Sequence, residues 1–349
     1  MRPVLVLASL LLFTGARAAE PAVPGATPAL PAPLVTRDYL ITSSDPGILV
    51  SVRYKAASED LRRFGPGDVV VMVHGATLSS RPAFDPPVAD ASLATWMARR
   101  GYAVYLLDVR NFGGSTREKV MDEPPGGNPA PSRSHEAIRD ISATVEHVLA
   151  RHGHSQVNLL GWSWGGMTAG HYASLHPEKV RKLVLYAPLY SGRETPRDYE
   201  ASGAYGFIPA SGQALKAGWS RTLLPAWGPP PWEDAVLDAV AAEILASDPT
   251  SGSRDPPTAR FPKGSFEDLD LARQGRPLWN ASAIAADTLV VRGDRDLVAP
   301  GEHAEALMRD LTHARGRKSV TIADGTHFLQ FEPRRSELFE VVRAFLATP

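Results

Sequence analysis

The 349 residues carry 37 lysines and arginines against 38 aspartates and glutamates, a formal net charge of -1, so no basic field draws the chain to nucleic acid. Cysteine is absent, which excludes disulfides, thiolate metal sites, iron–sulfur clusters and a cysteine nucleophile. The length would allow two domains, but a single α/β domain with an insertion fits the pattern better.

Residues 1–19 open with one arginine, Arg2, ahead of an apolar run from Val4 to Phe13 and small residues in which Ala16-Arg17-Ala18 fits a cleavage site. This predicts a signal peptide cut after Ala18 or Ala19 and export to the periplasm or beyond the cell. The run is about half of the ~20 residues that a spanning helix needs, so no membrane span is expected. Residues 20–35 are mostly proline and alanine and predict a stiff linker.

The folded part should open with a hairpin, Tyr39 to Thr42 and Ile48 to Tyr54, turned at Asp45-Pro46-Gly47. Asp68 to Val73 reads as a buried strand running into His74-Gly75-Ala76-Thr77, where His74 is expected to shape the loop by hydrogen bonding. A helix from Leu93 to Arg100, ended by Gly101, and a strand from Tyr102 to Leu107 follow. The polar loop Asp108 to Ser115 then supports the C-terminal edge of the sheet. Ser134 can cap a helix to about Arg151, with Ile138, Ile141, Val145 and Leu149 on one face. His135, His147, His152 and His154 read as solvated surface residues, because a metal site on His152 and His154 would lack further ligands nearby.

The stretch from Val157 to His171, VNLLGWSWGGMTAGH, packs a strand, a sharp turn and a helix into fifteen residues. Gly161-Trp162-Ser163-Trp164-Gly165 fits the G-x-S-x-G pattern of a nucleophile elbow, in which strand and helix pass too close for a Cβ at either glycine. The helix N-terminus favours an oxyanion beside Ser163. The backbone N–H groups of Trp164 and of Ala76 are the expected oxyanion donors.

After a strand from Val180 to Tyr186 the composition turns to proline, glycine and aromatics, among them Tyr199, Tyr205, Phe207, Trp219, Trp227, Trp232, Phe261, Phe266 and Trp279. Only Trp232 to Ala246 reads as helix, and the segment 188–282 is expected to be a lid inserted above the site. The alternation resumes with a strand at Thr288 to Val291, the loop Arg292 to Asp296 and a helix from Gly301 to Leu311. A strand from Ser319 to Ile322, the loop Ala323 to His327 and a helix from Pro333 to Leu346 close the chain. The predicted class is therefore α/β: a mostly parallel central sheet over 36–187 and 283–349, helices on both faces, and an inserted lid.

A serine hydroxyl needs a base to take its proton, and the base needs a carboxylate to fix its tautomer. Ser163, Asp296 and His327 supply the set in chain order. Asp294 is the rival acid, but Asp296 stands farther from the strand, where a loop can turn toward the base; His303 and His313 belong to a helix or its end, whereas His327 follows a strand. This chemistry requires no cofactor and no metal ion.

His74-Gly75, Asp108-x-Arg110-x-Phe112-Gly113-x-Ser115, Gly161-x-Ser163-x-Gly165, Gly293-x-x-Asp296 and Gly325-Thr326-His327 together resemble the lidded α/β-hydrolases, a group with carboxylesterases, lipases, epoxide hydrolases and proline iminopeptidases. The resemblance runs from about Arg37 to the end and implies that fold and a Ser-Asp-His triad. Epoxide hydrolases and haloalkane dehalogenases of the group carry an aspartate where this chain has Ser163, and iminopeptidases read His-Gly-Gly-Pro-Gly where it has His74-Gly75-Ala76-Thr77-Leu78.

The reading that follows is a serine hydrolase of carboxylic esters, acting on a small apolar or aromatic substrate walled by Trp162, Trp219, Trp227 and Trp232. An amidase or aminopeptidase would instead use lid carboxylates such as Glu200, Glu233 or Glu243 to hold an amine. A binding protein without catalysis would have no need of elbow, acid and base together.

Overall fold

The computed structural model describes residues 33–88, 90–193, 203–209 and 211–349. The chain divides into two units between Pro33 and Leu34, and the second, Leu34–Pro349, is the body described below. The expected signal peptide, nearly all of the linker, Tyr199 and Glu200 lie outside the described residues.

An antiparallel hairpin, β1 (Val35–Thr42) and β2 (Leu49–Ala56), opens the fold. It is longer than the apolar pattern suggested because cross-strand pairing continues to Val35 opposite Ala56, past the point where alternation fades. There follow β3 (Val69–Val73), α1 (Ser80–Phe84), α2 (Leu93–Ala98), β4 (Ala103–Asp108), α3 (Ser134–His152), β5 (Val157–Trp162), α4 (Trp164–Leu175) and β6 (Val180–Tyr186). The inserted region adds β7 (Tyr205–Pro209), α5 (Gly212–Ser220), α6 (Asp234–Ala246), β8 (Thr258–Pro262) and α7 (Gly264–Arg273). The chain closes with β9 (Asp287–Gly293), α8 (Gly301–Asp310), β10 (Arg317–Ile322) and α9 (Arg335–Leu346).

Among the described residues, an eight-stranded sheet runs in the order β1-β2-β4-β3-β5-β6-β9-β10. Only the β1–β2 and β2–β4 pairs are antiparallel. Every residue of β3, β4 and β5 is buried, as continuous apolar strands covered on both faces require. The period of two sorts their side chains between two cores. Val69, Val71, Val157 and Leu159 face the layer of α3, α4 and α8, whereas Val70, Met72, Leu160 and Trp162 face the layer of α2 and α9.

Local chemistry corrects two readings of α3. Its N-cap is Arg133, whose N–H donates to Glu136, and Ser134 is the first helical residue, its hydroxyl 2.8 Å from His171 Nδ1. Three of the histidines expected in solvent are half-buried. His152 Nε2 meets the Tyr105 hydroxyl at 2.9 Å, His154 Nε2 meets the Phe64 carbonyl at 2.9 Å and His147 packs near Tyr39. Burial pushes His152 down to about 4, so it is neutral and structural at pH 7. The helix turns His147 toward β1 and His152 toward β4, while His154, past its end, reaches Phe64; these neighbours are invisible in the local sequence.

The insertion contains more structure than one helix. Besides α6 it forms α5, capped by Ser211, a two-stranded antiparallel sheet of β7 and β8, and α7. Its final part also packs into the core: Leu269, Ala272, Trp279 and Ala281 belong to the layer shared with α3 and α4, and a Cβ on Gly170 of α4 would strike the Trp279 ring. The α5–α6 part joins the opposite layer, where Trp219 stacks on Phe328 at 4.0 Å and meets Trp232 edge-on at 5.5 Å. Trp227 stands apart, half-buried, with the Arg295 guanidinium 5.9 Å from its ring.

These packings separate tryptophans that the sequence grouped together. Trp219→Ala should cost about 3–5 kcal/mol of unfolding free energy by emptying a buried aromatic stack. Trp227→Ala should cost under about 1 kcal/mol, the worth of a part-exposed cation–π contact. Denaturant melts of the two variants measure the contrast.

Candidate active site

Ser163 joins β5 to α4 with φ 59° and ψ -123°, a conformation that a non-glycine residue holds only when the surroundings over-determine it. The surroundings here are backbone. A Cβ on Gly161 would run into the Gly165 carbonyl, and one on Gly165 into the carbonyl of Val73 at the end of β3. The Ser163 N–H donates to the Tyr186 carbonyl at 2.8 Å, and the Ser163 carbonyl accepts from Met167 N–H at 3.1 Å, so the turn is pinned on both sides.

The structure brings Ser163, His327 and Asp296 into one hydrogen-bonded chain. His327 Nε2 lies 2.9 Å from Ser163 Oγ, and His327 Nδ1 lies 2.9 Å from Asp296 Oδ2. Asp296 Oδ1 accepts the N–H groups of Val298 and Ala299 at 2.9 and 2.8 Å, which leaves Oδ2 for the imidazole and fixes the tautomer with a proton on Nδ1. Asp296 is 1% exposed, whereas the rival Asp294 is on the surface. His303 and His313 lie elsewhere: His303 Nδ1 accepts Tyr190 N–H, and His313 bonds the Ser282 carbonyl.

The two expected oxyanion donors belong to segments that flank Ser163. Helix α4 starts at Trp164, so its N–H has no carbonyl partner in a preceding turn. The loop bearing Ala76 passes close by, since a Cβ on Gly75 would stand 3.4 Å from Ser163 Cβ. His74 holds that loop. Its Nδ1–H donates to the Gly75 carbonyl at 2.8 Å and its Nε2 accepts Val109 N–H at 3.1 Å, while burial lowers its pKa and keeps it neutral. Asp108 adds a second brace, accepting Ser80 N–H at 2.8 Å and Gly114 N–H at 3.0 Å.

The tryptophan assignments need correction. Trp162 is 3% exposed, and its indole N–H donates to the His327 carbonyl at 3.1 Å, so it lies beneath the base and does not form a substrate wall. The reason is strand alternation, which sends the last side chain of β5 into the layer under the His327 loop. Trp219 and Trp232 pack on Phe328 with edges buried among aromatic rings, and Trp227 pairs with Arg295. Glu233 and Glu243 are already paired, with Arg335 at 3.0 Å and Arg81 at 2.6 Å.

Sequence reasoning missed Glu332. This buried carboxylate accepts Thr326 N–H at 3.1 Å and the Thr326 hydroxyl, and Thr326 Oγ accepts Phe328 N–H at 3.1 Å, so the residues on both sides of His327 are tied to it. A glutamate five residues after the base, before a proline, was the available signal. Burial pushes Glu332 up to about 7; the Thr326 hydrogen bonds oppose this, the Asp296 charge adds to it and Arg295 opposes it. A carboxyl raised on folding binds its proton more tightly in the native state, so its contribution to stability is full below the unfolded value of 4.5 and is lost as pH rises to about 7. The Tm of the native protein minus that of Glu332→Gln should therefore fall between pH 5 and pH 7.5. A difference that stays constant across thermal melts in that range would contradict this account.

The model of the alpha/beta hydrolase fold family matches residues 68–333. A pimeloyl-[acyl-carrier protein] methyl ester esterase of Chromobacterium violaceum is 28% identical over 243 residues, covering 68% of this chain and 79% of that protein. Its namesake in Neisseria meningitidis is 26% identical over 194 residues, covering 54% of this chain and 68% of that protein. Among solved structures, the esterase EaEST from Exiguobacterium antarcticum superposes with a TM-score of 0.58 at 18% identity, over 88% of this chain and 99% of that one. A thioesterase domain from the curacin biosynthetic pathway gives 0.57 at 16% identity, over 90% and 100%. Identities this low speak for the shared fold alone, but the family match extends from β3 past the His327 loop: this chain belongs to the α/β-hydrolase fold family.

Proposed function

We propose that the protein is a serine hydrolase that cleaves carboxylic esters through an acyl-enzyme on Ser163. The observation that carries the reading is the continuous chain from Ser163 Oγ through the His327 ring to Asp296, with 2.9 Å at each link. In this reading His327 Nε2 takes the hydroxyl proton as Oγ attacks the ester carbonyl, and Asp296 stabilises the imidazolium. The N–H groups of Ala76 and Trp164 receive the developing oxyanion. His327 returns the proton to the leaving alcohol, and a water, deprotonated by the same ring, then releases the acid and frees Ser163.

Relatives named as methyl ester esterases support an ester over an amide substrate. The ion pairs of Glu233 and Glu243 weigh the same way, because carboxylates engaged by arginine are poorly placed to hold a substrate amine. Ala76 beside the elbow and Phe328 edge-on to His327 at 5.3 Å favour a small apolar or aromatic ester. The apolar run Val4 to Phe13 before Ala16-Arg17-Ala18 supports the further reading that the enzyme works outside the cytoplasm.

Ser163→Ala should abolish hydrolysis of p-nitrophenyl esters while the melting curve stays that of a folded protein. The native enzyme should turn over short p-nitrophenyl esters faster than aminoacyl anilides, and the reverse preference would replace the esterase reading with the amidase one. Asp296→Asn should lower kcat/KM by about 10⁴-fold, because asparagine presents its amide to the wrong imidazole tautomer. Asp294→Asn should change it less than about twofold. Equal losses in the two variants would refute the role given to Asp296.

A further inference from the structure

The residues on either side of Ser163 are both tryptophans, and each indole N–H is used, in opposite layers. Trp162 donates to the His327 carbonyl; Trp164 donates to Asp268 Oδ2 at 3.1 Å. Asp268 lies on α7, more than a hundred residues away and within the inserted region, and is 1% exposed. The same Oδ2 accepts Ser134 N–H at 2.6 Å, and Oδ1 accepts Arg133 Nε at 2.7 Å. One buried carboxylate thus joins three segments: the N-terminus of α3, the first residue of α4 and the inserted helix α7.

Trp164 itself is fully buried, between His74 at 6.5 Å and Phe112 at 6.4 Å. Its backbone follows the elbow and its indole tip is held by Asp268, with only two side-chain torsions between them. The Trp164 N–H therefore cannot swing without breaking a buried hydrogen bond. An oxyanion donor must stand within a few tenths of an ångström of its working distance, so whatever fixes this direction acts on the transition state and leaves the ground state alone.

We propose that Asp268 is a positioning residue for the oxyanion hole: through the Trp164 indole it sets the direction of the Trp164 N–H and couples the inserted helix α7 to catalysis at Ser163. The inference rests on the reading of Ser163 as nucleophile and Trp164 as oxyanion donor. It assigns the end of the insertion a task distinct from covering the site. The competing explanation is that Asp268 only caps α3 and fastens α7, in which case its bond to the indole would be incidental.

Trp164→Phe separates the two, since it removes the indole donor while leaving the Ser134 and Arg133 bonds of Asp268 in place; Asp268→Asn disturbs all three. The measurement is phosphonylation of Ser163 by a p-nitrophenyl alkylphosphonate. In that step the Oγ–P bond forms, the P–O(aryl) bond breaks, p-nitrophenolate leaves and His327 takes the hydroxyl proton, while the phosphoryl oxygen occupies the oxyanion position. Each variant should lower the maximal labelling rate about 10- to 100-fold with the half-saturating reagent concentration within about twofold of native. The double variant should be no slower than Asp268→Asn alone, because both changes cut the same link. Native rates in Trp164→Phe, or single losses that multiply in the double variant, would overturn the proposal, and Trp164→Phe decides alone if Asp268→Asn fails to fold. A native protein not labelled at Ser163 would bring down the serine hydrolase reading together with this one, whereas labelling of native and Trp164→Phe at equal rates would remove only the role of Asp268.

Discussion

The architecture hangs on one strained residue, Ser163, held at φ 59° where β5 becomes α4. A serine in that conformation costs roughly 1–3 kcal/mol relative to an ordinary turn, so it persists only where neighbouring backbone leaves no alternative. The neighbours are the end of β3 and the helix itself, which close on the turn so tightly that Gly161 and Gly165 have no room for a side chain. The strained turn points the Ser163 Oγ at His327 Nε2, 2.9 Å away, out of the pleat of β5.

Around that residue the polar groups are arranged as pairs of anchors in the two layers. Trp162 reaches into one layer and supports the base from below; Trp164 reaches into the other and meets α7. Two buried acids divide the work on the His327 loop in the same manner: Asp296 holds the ring, and Glu332 holds Thr326, whose hydroxyl oxygen in turn accepts the Phe328 N–H. Buried carboxylates are costly unless their lone pairs are filled, and here backbone N–H groups and hydroxyls fill them. The geometry of the loops at the C-terminal ends of the strands is thus carried by buried side chains.

The inserted region follows the same division between layers. Its α5–α6 part packs aromatic rings onto Phe328, next to the base, while α7 packs into the α3–α4 layer and touches the elbow through Asp268. Aromatics in an insertion of this size need a core of their own, and most of them are used to build it. That explains why a list of tryptophans near Ser163 in the mind of a sequence reader becomes, in three dimensions, a stack beside His327 and a lone ring on Arg295.

The order of strands and helices, the elbow and the Ser163, Asp296 and His327 set were legible in the sequence because each rests on a local pattern: runs of buried β-branched residues, glycines at a close approach, and polar residues just past a strand. Boundaries were less so, as with β1, whose length is decided by its partner strand, and with α5 and α7, short helices whose first residue is a glycine. What the sequence could not supply was direction. Whether Trp162 faces substrate or base, whether His152 meets water or Tyr105, and whether Asp268 or Glu332 is a surface acid or a buried anchor all depend on which distant segment packs opposite, and only the closed sheet with its two layers decides that.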